Sequence, residues 1–134
     1  MPYIDSNVFI YAILYDPALE PKAKKAKQIL GDIEKGELSA YTSTLWDEVV
    51  WVVSKMLGKN EGINQGQKLL GFPKLQFICA DENILCQVQA LMSKYNLSPR
   101  DSIHIASAVD RKIKTIISDD KDVDRVKEIK RTSL

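Results

Sequence analysis

The sequence predicts an α/β fold, a mainly parallel sheet with helices on both faces. Two observations carry this. Short apolar runs of strand length alternate with longer stretches of helical periodicity along the chain. The 134 residues and 45% hydrophobic content suit one domain, residues 1–134, with one sizeable core.

The elements follow in order. Tyr3-Ile4 reads as a short strand ending at Asp5, and residues 7–14 as a helix closed before Pro17. Residues 20–35 place Ala23, Ala26, Ile29, Leu30 and Ile33 on one helical face and lysines on the other, with Gly36 as the stop. Leu38 to Thr42 reads as a strand. Thr44 is expected to cap a helix over 45–57, with Asp47 at the capping-box position. A weaker helical pattern covers 61–70. Residues 75–79 are strand-like, and Asp81 caps a helix near 82–95. Ser98 as cap and Pro99 at the first position open a helix to about 111. Residues 115–118 form a short apolar strand, and the tail from Lys127 to Leu134 supplies a final edge strand.

Composition narrows the function classes. Nineteen Lys+Arg against 18 Asp+Glu leave a net charge of +1, but the charges are unevenly placed. Lys22, Lys24, Lys25 and Lys27 form a basic run, whereas Asp119, Asp120, Asp122 and Asp124 crowd together. Cys79 and Cys86 are too few for a disulfide framework and read as reduced, packed thiols. With no signal-peptide pattern and no long apolar run, a cytoplasmic protein without membrane insertion is expected. A single histidine, His104, and no CxxC exclude zinc sites needing two or more His. Neither GxGxxG nor GxxxxGK[ST] occurs.

The carboxylates carry the chemistry. Asp5 and the Asp119–Asp120 pair each follow a predicted strand, at the edge where parallel sheets bind ligands. A turn or cap role would account for Asp5 taken alone. Glu48 borders the apolar stripe Leu45, Val49, Val52 and Met56, where an unpaired carboxylate is costly. A functional acid and a rim acid that reaches water or pairs with a lysine fit that pattern equally. Asp101 lies in the first turn of the helix after Ser98, a position that also suits capping. Simple threading does not bring it to the edge that holds Asp5. His104 shares a face with Ser107 and Arg111 and reads as a surface or packing residue.

Taken together, these segments resemble a PIN domain, the nuclease fold of VapC-type toxins. YIDSNVFIYAI is similar to the family's opening strand–Asp–helix. YTSTLWDEVVWV resembles the segment that carries its Glu. LSPRDSIHIASAV resembles its Leu-Ser-x-x-Asp-x-x-x-x-Ala-x-Ala segment, and TIISDDKDV its Thr-x-Asp-x-x-Phe segment. The resemblance covers nearly the whole chain, with Val123 where the family usually has Phe. It implies a three-layer α/β/α fold and catalytic, metal-binding roles for Asp5, Glu48, Asp101 and Asp120. Asp119 and Asp122 compete for the fourth place, Ser118 stands for the Thr, and Asn7 and Arg100 are supporting or substrate-facing residues. It further implies a Mg²⁺- or Mn²⁺-dependent ribonuclease, a homodimer, and a small antitoxin partner.

The chemistry is consistent with that. Two carboxylates 4 Å apart repel by about 4 kcal/mol at an effective dielectric of 20. A hard divalent cation relieves the repulsion and activates water. Removing the Asp5 charge is therefore expected to stabilise the metal-free protein. Two alternatives remain at this stage: a non-catalytic PIN-like module that binds RNA or protein, and a phosphatase that forms an aspartyl-phosphate on Asp5. Most of the lysine run reads as a solvated helix face. Trp46, Trp51, Tyr11 and Tyr15 could stack bases, although packing accounts for them as well.

Overall fold

The computed structural model describes residues 1–38, 40–42 and 45–134, the side chain of residue 45 excepted. It contains β1 (Tyr3–Ile4), α1 (Ser6–Leu14), α2 (Pro21–Glu34), β2 (Ala40–Thr42), α3 (Leu45–Leu57), α4 (Lys59–Leu70), β3 (Leu75–Phe77), α5 (Glu82–Tyr95), α6 (Pro99–Asp110), β4 (Thr115–Ile117) and β5 (Lys130–Thr132). A 3₁₀ turn over Lys121–Arg125, absent from the sequence-based reading, links β4 to β5. The expected cap at Thr44 lies outside the described residues.

The strands pair in the order β3-β2-β1-β4-β5, and every pair is parallel. The order reverses at β1: the chain builds outward through β2 and β3, then crosses to β4 and β5. The crevice at such a switch point, outside the carboxyl ends of the strands, is the usual ligand site of an open parallel sheet. Asp5 leaves β1 there, its backbone N–H bonded to the Ile117 carbonyl of β4.

Alternation along β1 sends its side chains to opposite faces. Tyr3 enters one buried cluster with Ile84, Val88, Ile105 and Ala106 of α5 and α6. Ile4 enters the other with Val8, Phe9, Ala26, Ile33, Val49 and Val53 of α1, α2 and α3. The result is a three-layer α/β/α arrangement, as the resemblance implies.

Three local expectations change. The buried row of α3 is Val49 and Val53, while Met56 is exposed. The helix turns this row inward because α4 covers its neighbouring face. There Gly62 lies against Ser54 and Gly66 against Trp46 and Val50. Cys79 and Cys86 are free but exposed rather than packed. The third concerns Asp101. Asn83 and Gln87, early in α5, donate to Asp110 at the end of α6, so α5 and α6 form an antiparallel hairpin. The hairpin's turn, around Asn96–Ser98, therefore lies at the opposite end. Residues 78–81 carry the chain from β3 to the start of α5, and α6 runs back, packed on β2, toward the start of β4. This puts the first turn of α6 at the carboxyl edge of the sheet.

Candidate active site

Asp5 is the N-cap of α1 and is only 4% exposed. Its Oδ1 accepts from the Ser6 backbone N–H at 2.6 Å, and its Oδ2 from Ser118 Oγ at 2.6 Å and Asn7 Nδ2 at 3.4 Å. Ser118 Oγ in turn accepts from Asn7 Nδ2 at 3.2 Å and from the Asp120 backbone N–H at 3.0 Å. One donated and two accepted bonds use the full capacity of that hydroxyl. Asn7 completes the brace, its Oδ1 accepting from the Asp119 backbone N–H at 3.2 Å. Asn7 and Ser118 thus tie the end of β1 to the loop after β4.

Glu48, in the first turn of α3, points toward the same edge. Its Oε2 accepts from Ser6 Oγ at 2.9 Å, and its Oε1 lies 2.5 Å from His104 Nε2. Glu48 is thus a partly buried acid whose partner is histidine rather than lysine. His104 is 1% exposed, and its Nδ1 lies 2.6 Å from the Tyr3 hydroxyl. Of the two positions expected for it, the surface one is corrected and the packing one holds, its ring meeting Tyr3 edge-on. The residue is buried, and both ring nitrogens are engaged in polar contacts. Its one sequence signal is its place three residues after Asp101, on the same helix.

The pair holds itself charged. Burial pushes His104 down, but the Glu48 hydrogen bond and the charges of Asp5, Glu48 and Asp101 outweigh it and leave the imidazole above its ordinary pKa. Burial likewise pushes Glu48 up, and His104 and Ser6 reverse this to leave it below the usual carboxylate range.

The remaining acids divide. One carboxylate oxygen each from Asp101, Asp120 and Asp122 lies within 4.8 Å of the others. Burial, together with a hydrogen bond and charge from Asp120 and the charge of Asp5, pushes Asp101 up to about 6, against an opposing bond from Ser98. Asp120 caps the 3₁₀ turn, its Oδ1 accepting from the Asp122 N–H at 2.9 Å. That turn brings Asp122 back beside Asp120. Asp119 faces the other way. Its carboxylate pairs with Lys22 Nζ at 2.9 Å and accepts from the Tyr11 hydroxyl at 3.0 Å. Arg100 lies at the rim, 3.4 Å from Asp47 of α3. The Asp101–Asp120–Asp122 cluster is therefore flanked by the Asp5–Ser6–Glu48–His104 network, with Asp119 and Arg100 in pairs outside it. Three clustered carboxylates are hard oxygen donors of the kind that suit Mg²⁺ or Mn²⁺.

The PIN domain family model matches residues 3–129. The chain belongs to the PIN domain family. No curated protein sequence gives a significant match. Solved PIN structures share the fold at low identity. VapC20 of Mycobacterium tuberculosis, a toxin that cleaves the sarcin–ricin loop, superposes with a TM-score of 0.78 at 11% identity, covering 96% of this chain and 97% of that one. VapBC2 of Rickettsia felis, bound to a promoter DNA fragment, gives 0.74 at 16% identity, covering 99% and 98%. A toxin–antitoxin complex from Klebsiella pneumoniae gives 0.68 at 19% identity, covering 96% and 95%. The strand order and the carboxyl-edge acids described above are thus set on a PIN scaffold. Among the described residues, no helix is long and apolar enough to cross a membrane.

Proposed function

We propose that this PIN domain, residues 1–134 acting as one unit, is a divalent-metal-dependent ribonuclease and the toxin of a VapBC-type pair. The observation that carries the reading is the convergence of Asp101, Asp120 and Asp122 beside Asp5 and Glu48 at the switch point of the sheet. Asp101, Asp120 and Asp122, with Asp5 adjacent, would hold Mg²⁺ or Mn²⁺. Bound there, the ion supplies charge stabilisation at phosphate oxygen and lowers the pKa of water.

The chain's own residues do the rest. Glu48 has one oxygen on Ser6 and the other on His104, so its carboxylate is fixed in orientation. Held in that way it can orient a water molecule or accept its proton, while His104 Nε2 holds the opposite oxygen. Ser118 and Asn7 keep Asp5 and the Asp119–Asp120 backbone in register. Lys121, next to Asp120 and Asp122 in the chain, offsets part of the repulsion between an acidic site and a polyanion, while Arg100 and Lys22 are paired with Asp47 and Asp119.

Asp5 is poorly suited to attack a phosphoryl group in line, because it is buried, only 4% exposed. A non-catalytic module has no need for five clustered acids. The proposal includes a small antitoxin partner, a reading supported by the toxin–antitoxin complexes among the structural neighbours. A homodimer fits the exposed Trp51, Met56, Leu57 and Ile63 of α3 and α4, and a cytoplasmic location fits two free thiols. The test is cleavage of an end-labelled RNA in Mg²⁺ or Mn²⁺ and in chelator. Cutting that needs the ion and is lost in Asp101→Asn is expected; cutting unaffected by chelator would refute the reading.

A further inference from the structure

Asn7, Tyr11 and Tyr15 lie at positions i, i+4 and i+8 of α1 and its C-cap, a single row on one helix face. At 1.5 Å per residue, successive members sit ~6 Å apart along the axis. The row starts in the carboxylate pocket, where Asn7 bonds Ser118 and Asp5. It passes Tyr11, whose hydroxyl is bonded to Asp119, the residue next to Asp120. It ends at Tyr15, which is 49% exposed. The two tyrosine rings lie 5.2 Å apart with planes tilted by 35°. Lys22 Nζ stands 5.8 Å from the centre of the Tyr11 ring and is paired with Asp119.

An exposed ring, a second ring beside it and a cation over that second ring are the parts that bind an unpaired base and its phosphate. We propose that Tyr15 and Tyr11, with Lys22, form a stacking subsite for an unpaired base of single-stranded RNA entering the carboxylate pocket. This rests on the nuclease reading for its substrate class. The geometry favours a nucleic-acid strand over a protein partner, because the row is continuous with the pocket and the cation flanks the π-face. Trp46 and Trp51 are less suited: Trp46 packs against Gly66, and both lie on α3, outside the α1 row that starts at Asn7.

The test measures binding of an unstructured 12-nucleotide RNA, and of an abasic ribose-phosphate oligomer of equal length, to the full chain. Fluorescence anisotropy is the readout, with Ca²⁺ as the divalent ion. Tyr15→Ala is expected to weaken RNA binding about tenfold, leave the abasic oligomer unchanged, and be rescued by Tyr15→Trp. Equal weakening of both oligomers, or no weakening, overturns the subsite. So does a wild-type protein that binds neither. Cleavage of the same RNA in Mn²⁺ is scored separately. Cleavage with no Tyr15 effect on binding overturns the subsite alone. Tyr15-dependent binding without cleavage supports the subsite and overturns the nuclease reading.

Discussion

His104 Nε2 stands 2.5 Å from Glu48 Oε1, a pair with a buried histidine and a partly buried carboxylate, closed from behind by the Tyr3 hydroxyl on His104 Nδ1. The contact joins α6 to α3 across the end of β1, so it fixes the site and the packing of two layers together. Breaking such a pair leaves one charge buried without its partner.

His104→Phe is therefore expected to destabilise the protein by about 3 kcal/mol near pH 6, measured by urea unfolding. The pH dependence has a definite sign. The His104 pKa is raised, so its contribution is full below 6.5 and fades as pH rises through the folded value. The Glu48 pKa is lowered, so its contribution is full above 4.5 and fades as pH falls through the folded value. The pair thus contributes most between those two limits. A His104→Phe deficit that is the same at pH 3, 6 and 10 would contradict it.

Asp101 behaves oppositely. Its pKa is raised from 3.8 to about 6, so its contribution to the metal-free protein is full below 3.8 and is lost as pH rises through about 6. Asp101→Asn should stabilise the chelator-treated protein at pH 7.5 by about 1 kcal/mol, after discounting for the side chain's partial exposure. At pH 4 the gain should vanish. Asp5 contributes to that repulsion, but its carboxylate also accepts hydrogen bonds from Ser6, Asn7 and Ser118. The loss of those bonds opposes the stabilisation expected of Asp5→Asn in the metal-free protein. No gain for Asp101→Asn at pH 7.5 would show that the cluster stores no repulsion.

The seam between α3 and α4 makes a packing prediction. A Cβ on Gly66 would lie 2.8 Å from both Trp46 Nε1 and Val50 Cγ2, whereas one on Gly31 meets nothing within 4 Å. Gly66→Ala is expected to cost about 1–3 kcal/mol. Gly31→Ala, in the body of α2 with open space for the added Cβ, should gain about 0.5–1 kcal/mol. Chemical denaturation of both variants checks the pair; equal effects would rule out close packing at Gly66.

Much of this architecture was legible from local pattern. The strand ends locate Asp5 and Asp120, and the Ser-Pro start of α6 is read from two residues. The α3 stripe marks Glu48 as unusual but does not name its partner. That partner is His104, 56 residues away, and Tyr3 lies 101 residues from His104. No helical or strand period encodes contacts of that range. The position of Asp101 depends on the antitparallel α5–α6 hairpin, a tertiary choice that capping residues do not reveal. The choice among Asp119, Asp120 and Asp122 depends on a short 3₁₀ turn, which sends Asp119 to Lys22 and brings Asp122 back beside Asp120.

Calorimetric titration of Mn²⁺ into the purified chain tests the central claim most directly. Binding should tighten as pH rises from 5 to 7, because Asp101 must give up its proton to ligate. Asp120→Asn and Asp122→Asn should each weaken it at least tenfold, while Asp119→Asn leaves it nearly unchanged. A wild-type protein that takes up no Mn²⁺, or one whose affinity is the same in all three variants, would contradict a metal centre at these carboxylates.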